Sequence, residues 1–190
     1  VDNTSAGADG VRLADINGDG RTDIATGWEE GGLTRVYLHP GSDRVRSPWP
    51  AVTVGKTGSV EDAVFVDLDA DGHVDVVACC EGGAKTVFVH WGPQEEPLDT
   101  PWRQEVLGST AGRMAFMFCL PMQIDGRGPV DLVIGAKNKG AQIGWLRAPD
   151  DPRDVRAYTW HEIGPAGWIM SLIAADMDGD GDLDVVTTDR

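Results

Sequence analysis

The sequence predicts an all-β protein built from the four-stranded blades of a β-propeller. An acidic nine-residue segment recurs along the chain, with first positions 52, 56 and 53 residues apart. A repeat of about 54 residues accommodates four short strands with their turns, which is close to the length of a propeller blade. Short apolar runs flank every copy, and no stretch has the 3.6-residue periodicity of a helix. With 25 glycines in 190 residues, the chain also favours tight turns over helix bundles.

Each repeat contains apolar runs that fit strands bounded by Gly, Pro or Asp. The first run enters the acidic segment, at residues 11–13, 64–66, 118–120 and 172–174. The second run leaves it, at residues 24–25, 76–77, 132–133 and 185–186. The third follows a glycine-containing turn, at residues 36–38, 87–89 and 143–146. The fourth begins with a tryptophan that we expect to pack between blades: Trp49, Trp102 or Trp160.

These runs divide residues 1–190 into one partial propeller domain of about three and a half blades. The predicted blades lie near residues 10–54, 62–107 and 113–163, with a half blade at 170–190. Because a propeller closes with about four to eight blades, we expect the chain to be a fragment, half of a longer seven-bladed protein. The alternative is that two copies of the chain combine.

Composition excludes several classes of partner. The chain has 31 acidic and 16 basic side chains and a formal net charge of -15. This charge argues against a nucleic-acid binder and against attraction to an anionic membrane surface. No run approaches the roughly 18 apolar residues of a membrane span, so no membrane insertion is expected.

The acidic segments have the pattern of a calcium site. Carboxylates or an amide stand at positions 1, 3 and 5, Gly stands at position 6, and a carboxylate stands at position 9. A tight turn of this kind gathers several oxygens, with position 7 adding its backbone carbonyl, and such a hard oxygen cage favours Ca²⁺. The predicted ligands are Asp15, Asn17, Asp19, Arg21, Asp23, Asp67, Asp69, Asp71, His73, Asp75, Asp176, Asp178, Asp180, Asp182 and Asp184.

Two alternatives to a propeller calcium loop are open to test from the sequence. An EF-hand requires Glu at position 12, where this chain has Thr26, Ala78, Ile134 and Thr187, and it requires helical flanks. Asp-rich turns that merely cap strands need no metal. However, removing the 11 carboxylates at ligand positions would leave a net charge of only -4, so the excess acidity is concentrated in these loops. Such like charges repel unless a cation is present.

The third copy of the segment, at residues 123–131, is altered. Gln123 and Arg127 replace two carboxylates. We therefore expect no Ca²⁺ there, and we expect the cationic side chain of Arg127 to take its place.

The pattern D-x-[DN]-x-D-G-x-x-D between β runs resembles the FG-GAP/VCBS-type repeats of integrin-like β-propellers, over essentially the whole chain. The resemblance implies a seven-bladed propeller whose calcium loops join the first and second strands of each blade. It implies a secreted, periplasmic or cell-surface location. Families of this kind include lectins, adhesion modules and a few polysaccharide-degrading enzymes, so the fold alone does not define the function.

Strand alternation places the remaining turns on the face opposite the acidic loops. Aromatic side chains beside cations on that face suit recognition of a sugar or an anionic ligand. The alternative is an ordinary solvated loop face. The predicted ligand-binding residues are Trp28, Arg113, Lys137, Lys139 and Trp168.

Two functions are compatible with these features. The leading hypothesis is a non-enzymatic propeller module, with structural calcium, that recognises a protein or a carbohydrate. The alternative is a carbohydrate-active enzyme resembling a polysaccharide lyase, which requires a cation beside a His, Tyr or Lys base. Arg113 and Lys137 fit parts of such a site, but no matching His or Tyr falls on that face.

Overall fold

The computed structural model describes residues 4–94, 97–98, 100 and 102–190, so the predicted domain start at residue 1 lies outside the described residues. Within these ranges the chain forms short β-strands and one 3-10 turn, Gly108–Thr110. The all-β prediction is confirmed. The strands are β1 Ala8–Ala14, β2 Asp23–Trp28, β3 Leu33–Tyr37, β4 Ala51–Gly55, β5 Val60–Val66, β6 Asp75–Cys80, β7 Thr86–Trp91, β8 Arg103–Val106, β9 Ala115–Met122, β10 Asp131–Lys137, β11 Gln142–Arg147, β12 Thr159–Pro165, β13 Ile169–Ala175 and β14 Asp184–Asp189.

The strands form antiparallel sheets in which each strand pairs with its neighbours in sequence. Three sheets have four strands, in the orders β1–β4, β5–β8 and β9–β12, and β13 pairs with β14 alone. The first strands are neighbours in space: β5 packs beside β1, β9 beside β5, and β13 beside β9. This arrangement is that of successive propeller blades, each with its first strand innermost.

The same irregularity interrupts the first strand of every sheet. One extra residue lies between two paired positions, at Gly10, Glu61, Met117 and Met170. Such a β-bulge increases local twist and redirects a side chain. In β5 the bulged residue is Glu61, which is directed into an ion pair described below.

Apolar side chains fill the spaces between sheets. One buried cluster joins the second and third sheets through residues such as Val89, Phe116 and Leu132. A second cluster joins the first and second sheets and includes Trp102, while Trp160 packs against the first cluster. Trp102 therefore lies between blades, as expected, whereas the ring of Trp160 contacts Phe116 of its own sheet at 6.0 Å.

Trp49 does not follow this pattern. It precedes β4, contacts the ring of His39 edge-on at 4.8 Å, and donates its indole N–H to the carbonyl of Val45 at 3.0 Å. The prediction of inter-blade packing is wrong for Trp49 within the part of the chain that the structure describes.

One buried carboxylate connects three blades. Asp62 of β5 is fully buried. It accepts two hydrogen bonds from the Arg12 guanidinium of β1, at 2.9 and 2.6 Å, and one from the backbone N–H of Cys119 in β9, at 3.2 Å. Because both charges are paired and the acceptor is shared between blades, this contact fixes how the inner strands lie relative to one another.

Candidate metal centres and the opposite face

The four acidic segments occupy one structural position. We call them loop 1 (residues 15–23), loop 2 (67–75), loop 3 (123–131) and loop 4 (176–184), and number their positions 1 to 9. In each sheet, position 1 directly follows the first strand and position 9 is the first residue of the second strand. The loops therefore join the two innermost strands of each blade.

The carboxylate at position 1 organises the turn. In loop 1, Asp15 accepts the backbone N–H groups of Gly18 and Gly20, both at 2.8 Å. In loop 4, Asp176 accepts the equivalent pair at 2.7 and 3.1 Å. Both glycines of loop 1 have positive φ, at 72° and 78°, a conformation that glycine adopts without steric penalty. The aspartate at position 1 and the glycines therefore form the turn without a bound ion.

Carboxylate oxygens converge in two of the intact loops. In loop 2, one oxygen from each of Asp67, Asp69 and Asp71 lies within 4.8 Å of the others. Loop 4 brings together Asp176, Asp178 and Asp184 in the same way. These oxygen donors fit a hard divalent cation, and the residues of loop 4 are all exposed, so an ion reaches them from solvent.

Loop 1 presents a weaker donor set. Its position 3 is the neutral Asn17, and one oxygen of Asp19 accepts a hydrogen bond from the Arg21 guanidinium at 3.0 Å. In all three intact loops the backbone N–H of position 7 donates to the carboxylate of position 5, at 2.8 to 2.9 Å. The predicted contribution of position 7 to a metal is its carbonyl, which these N–H bonds leave available.

The carboxylate at position 9 has a structural role that the sequence analysis missed. Asp23 is fully buried, and its oxygens accept the backbone N–H groups of Ile16 at 3.0 Å and His39 at 2.8 Å. Asp75 makes the equivalent bonds at 3.0 and 2.7 Å, and Asp131 makes them at 3.0 and 2.9 Å. Because Asp131 belongs to the altered loop, this connection between the loop and the end of the third strand does not depend on a metal.

Burial also acts on the acidity of position 9. It raises the pKa of Asp75 to about 7, against the effect of the two backbone N–H groups that the carboxylate accepts. A carboxylate oxygen has a second lone pair, so these hydrogen bonds do not prevent metal coordination.

Loop 3 is closed by a side-chain amide. The Gln123 side chain donates to the backbone carbonyl oxygens of positions 5, 6 and 7, at 3.2, 3.3 and 2.8 Å. Asp125 pairs instead with Arg147 at 2.8 Å, and Arg127 is exposed. The prediction that the Arg127 cation fills this loop is therefore wrong, because the Gln123 nitrogen already occupies the position facing those carbonyls.

A cation from the next blade reaches loop 2. The Arg153 guanidinium contacts Asp69, lies 3.5 Å from Asp71, and stacks over the Trp91 ring with its carbon 4.1 Å from the ring centre. Arg153 lies in the connection from β11 to β12. Loop 2 is thus partly neutralised by the protein itself, which distinguishes it from loop 4.

On the opposite face, two predicted ligand residues are engaged inside the protein. Trp28 is 5 % exposed, and its indole N–H donates to the Tyr37 hydroxyl at 3.1 Å. Lys137 is 8 % exposed. The prediction that Trp28 offers an aromatic surface to a ligand is therefore wrong, because its ring belongs to the core.

Lys137 is the centre of a buried ion-pair cluster. Its ammonium group donates to Glu61 at 2.8 Å and to Glu81 at 2.7 Å, and it lies 4.7 Å from the centre of the half-buried Trp168 ring. The two carboxylates raise the pKa of Lys137 despite its burial, whereas burial raises the pKa of Glu61 to about 7. Lys137 is thus a structural cation rather than a free ligand-binding group, which corrects the prediction for this residue.

Arg113 and Lys139 are exposed, as a ligand-binding role requires. They line a small cavity with Lys85, Lys137 and Asn138. Neither His nor Tyr lines this cavity among the described residues, so a lyase acting here would have to use a lysine as its base.

A much wider cavity lies on the other face. It has a volume of about 720 Å³ and lies between loops 1 and 2, with Asn17, His73 and Trp102 among its lining residues. It is wide and open to solvent beside the candidate metal loops. Any test of ligand recognition therefore has to compare both faces.

Serial four-stranded antiparallel sheets, each with an acidic loop between its first two strands, define a β-repeat protein of the propeller-blade type. The model of the FG-GAP-like repeat family matches residues 15–78 and 124–187, about two thirds of the chain. The chain belongs to this family, and the recognition from the acidic loops is confirmed. A comparison with curated proteins finds no match. No helix of the described chain is both long and apolar enough to cross a bilayer.

Proposed function

We propose that this chain is a calcium-stabilised part of a seven-bladed β-propeller that recognises a protein or carbohydrate outside the cytoplasm. Its own carboxylates shape the loops, and bound calcium supplies the positive charge that offsets their mutual repulsion. Loops 1, 2 and 4 hold the ions, and loop 3 holds none. An extracellular or periplasmic setting fits this role, because calcium there is abundant enough to fill weak sites.

The observation that carries the calcium proposal is the contrast between loop 3 and loop 4. In loop 3 a side-chain N–H group of Gln123 faces the carbonyls of positions 5 to 7. In loop 4, where position 1 is a carboxylate, acidic oxygens converge instead. Converging carboxylate oxygens of this kind suit a hard divalent cation, which would offset their mutual repulsion.

A matched pair of variants tests the calcium proposal. Asp178→Asn and Asp125→Asn make the same change at position 3 of loop 4 and loop 3. We expect millimolar calcium to raise the melting temperature of the wild-type chain above its value in excess chelator. Asp178→Asn is expected to reduce that calcium-induced rise, whereas Asp125→Asn leaves it unchanged. Equal melting temperatures of the wild type in calcium and in chelator would show that the loops need no metal.

The recognition part of the proposal is supported by the exposed cations of the opposite face, Arg113 and Lys139. It is tested by comparing how ligand affinity changes in Lys139→Ala, on the opposite face, and in His73→Ala, in the wide cavity between loops 1 and 2. A ligand whose binding is lost only in His73→Ala would place recognition on the metal-loop face and contradict the proposal.

A further inference from the structure

We infer that the cavity formed by Lys85, Arg113 and Lys139 binds a single anionic group, the carboxylate or sulfate of an acidic glycan. This inference rests on the proposed recognition function of the same face and specifies the ligand class. It concerns a different set of residues from the candidate metal loops, so the two are tested independently.

The cavity gathers its cations from separate parts of the fold. Lys85 comes from the turn between β6 and β7, Arg113 from the connection that precedes β9, and Lys139 from the turn between β10 and β11. The cavity volume is about 80 Å³, which is small beside the roughly 300–1,000 Å³ of pockets that hold drug-sized ligands. That space suits a compact charged group rather than a whole sugar ring, which would lie across the mouth.

The charge of the cavity opposes that of the protein. The chain carries a net charge of -15, yet the described residues that line this cavity include four cations and no carboxylate. Two carboxylates, Glu61 and Glu81, lie against the single ammonium group of Lys137, so Lys137 adds no net positive charge to the cavity. The ammonium groups of Lys85 and Lys139 have no ion-pair partner within the described ranges, and both side chains are exposed. A bound anion would relieve the repulsion between them.

Two of the four non-glycine residues with positive φ in the described ranges lie at this cavity, and the other two are Ser59 and Ala70. Lys85 has φ of 45° and Asn138 has φ of 76°. Lys85 directly precedes the third strand of the second sheet. The equivalent residue of the first sheet is Gly32, with φ of 65°. Glycine adopts this conformation without penalty, whereas a lysine there is strained. Such strain in non-glycine residues is characteristic of ligand-binding segments.

The rim favours a glycan over an acidic peptide. It presents the amide side chain of Asn138, and the amide oxygen of Gln142 accepts from the Arg113 guanidinium at 3.5 Å and from the indole N–H of Trp160 at 3.1 Å. The apolar wall residues Met114 and Ala115 are buried, so the cavity offers a peptide no exposed apolar anchor of the kind that dominates protein interfaces. Amides next to cations instead match the hydroxyl and acidic groups of a charged sugar.

Isothermal titration of the whole chain at low ionic strength tests this inference. The probes are polygalacturonate, dextran sulfate, neutral dextran and poly-L-glutamate. We expect binding to polygalacturonate or dextran sulfate and none to neutral dextran. Lys85→Gly and Lys139→Ala are each expected to weaken that binding about tenfold, since a lost charge-assisted contact corresponds to about one decade in affinity.

Two controls separate binding from folding. Lys56→Ala removes one exposed positive charge on the same face, outside the cavity, and should leave affinity unchanged. Lys85→Gly should keep or raise the melting temperature, because glycine accepts the positive φ of this position. A loss of affinity without a loss of stability is therefore expected for that variant.

Several outcomes would overturn the inference. The inference is wrong if neither acidic glycan binds, or if Lys56→Ala weakens binding as much as Lys85→Gly and Lys139→Ala do. It is also wrong if poly-L-glutamate binds more tightly than both acidic glycans. Binding of neutral dextran would also overturn it, while leaving the broader recognition function intact. Calcium-dependent melting is measured separately, so failure of the metal proposal remains distinguishable.

Discussion

The buried carboxylate of Asp131 tests whether position 9 stabilises its loop independently of metal. In Asp131→Ala the backbone N–H groups of Ile124 and Ala148 both lose their acceptor. Asp131 is fully buried, so water does not readily replace it. A hydrogen bond to a charged group contributes about 1.5–3 kcal/mol to stability. Losing two such bonds should therefore lower the free energy of unfolding by about 3–6 kcal/mol. For a chain of this size the melting temperature would fall by roughly 6–24 °C.

The assay is thermal and urea unfolding of Asp131→Ala and of Asp131→Asn, with calcium and with excess chelator. Asparagine keeps one acceptor oxygen, so its loss of stability should fall between wild type and alanine. Because loop 3 is expected to bind no calcium, the loss should be the same in both buffers. A loss below about 1 kcal/mol, the value of one ordinary hydrogen bond, or a loss seen only in calcium, would refute this reasoning.

Three further predictions concern the side-chain contacts of Arg153, Lys137 and Gln123. Arg153→Ala should raise the calcium affinity of loop 2 roughly two- to fivefold, as expected for removing a surface ion pair, in a titration followed by tryptophan fluorescence; weaker affinity would contradict it. Lys137→Met should destabilise the chain by about 3–5 kcal/mol at pH 8 in urea unfolding, because it leaves the buried carboxylate of Glu61 and the half-buried carboxylate of Glu81 unpaired. The pKa of Glu61 is raised to about 7 in the folded protein, so its carboxyl group is protonated and uncharged at pH 5. The loss of stability caused by Lys137→Met should therefore be smaller at pH 5 than at pH 8. An equal loss at both pH values would contradict this prediction. Gln123→Ala should lower stability by about 1–3 kcal/mol equally with and without calcium, and a calcium-dependent loss would contradict it.

The position of the acidic loops was predictable because their pattern is local. Carboxylate, glycine and strand signals lie within nine residues, and each loop closes on its own backbone, as Asp15 does with Gly18 and Gly20. The order of strands within each sheet follows from the same repeat, since every strand pairs with its neighbour in sequence.

The roles of individual side chains were harder to predict because they depend on distant partners. Lys137 pairs with Glu61, which lies 76 residues away and is directed by a bulge that no sequence signal announced. Arg153 lies 84 residues from Asp69. The role of Asp131 was recoverable in principle, since position 9 keeps its aspartate in the altered loop where other ligands are lost.

The most direct test of the central claim is the number of calcium ions bound per chain in equilibrium dialysis. We expect three ions, one each in loops 1, 2 and 4, and a loss of one ion in a double variant carrying Asp176→Asn and Asp178→Asn. In loop 3, where position 1 is already the amide Gln123, the single change Asp125→Asn gives the matched loop and should leave the count unchanged. A wild-type chain that binds no calcium at millimolar concentration would contradict the claim.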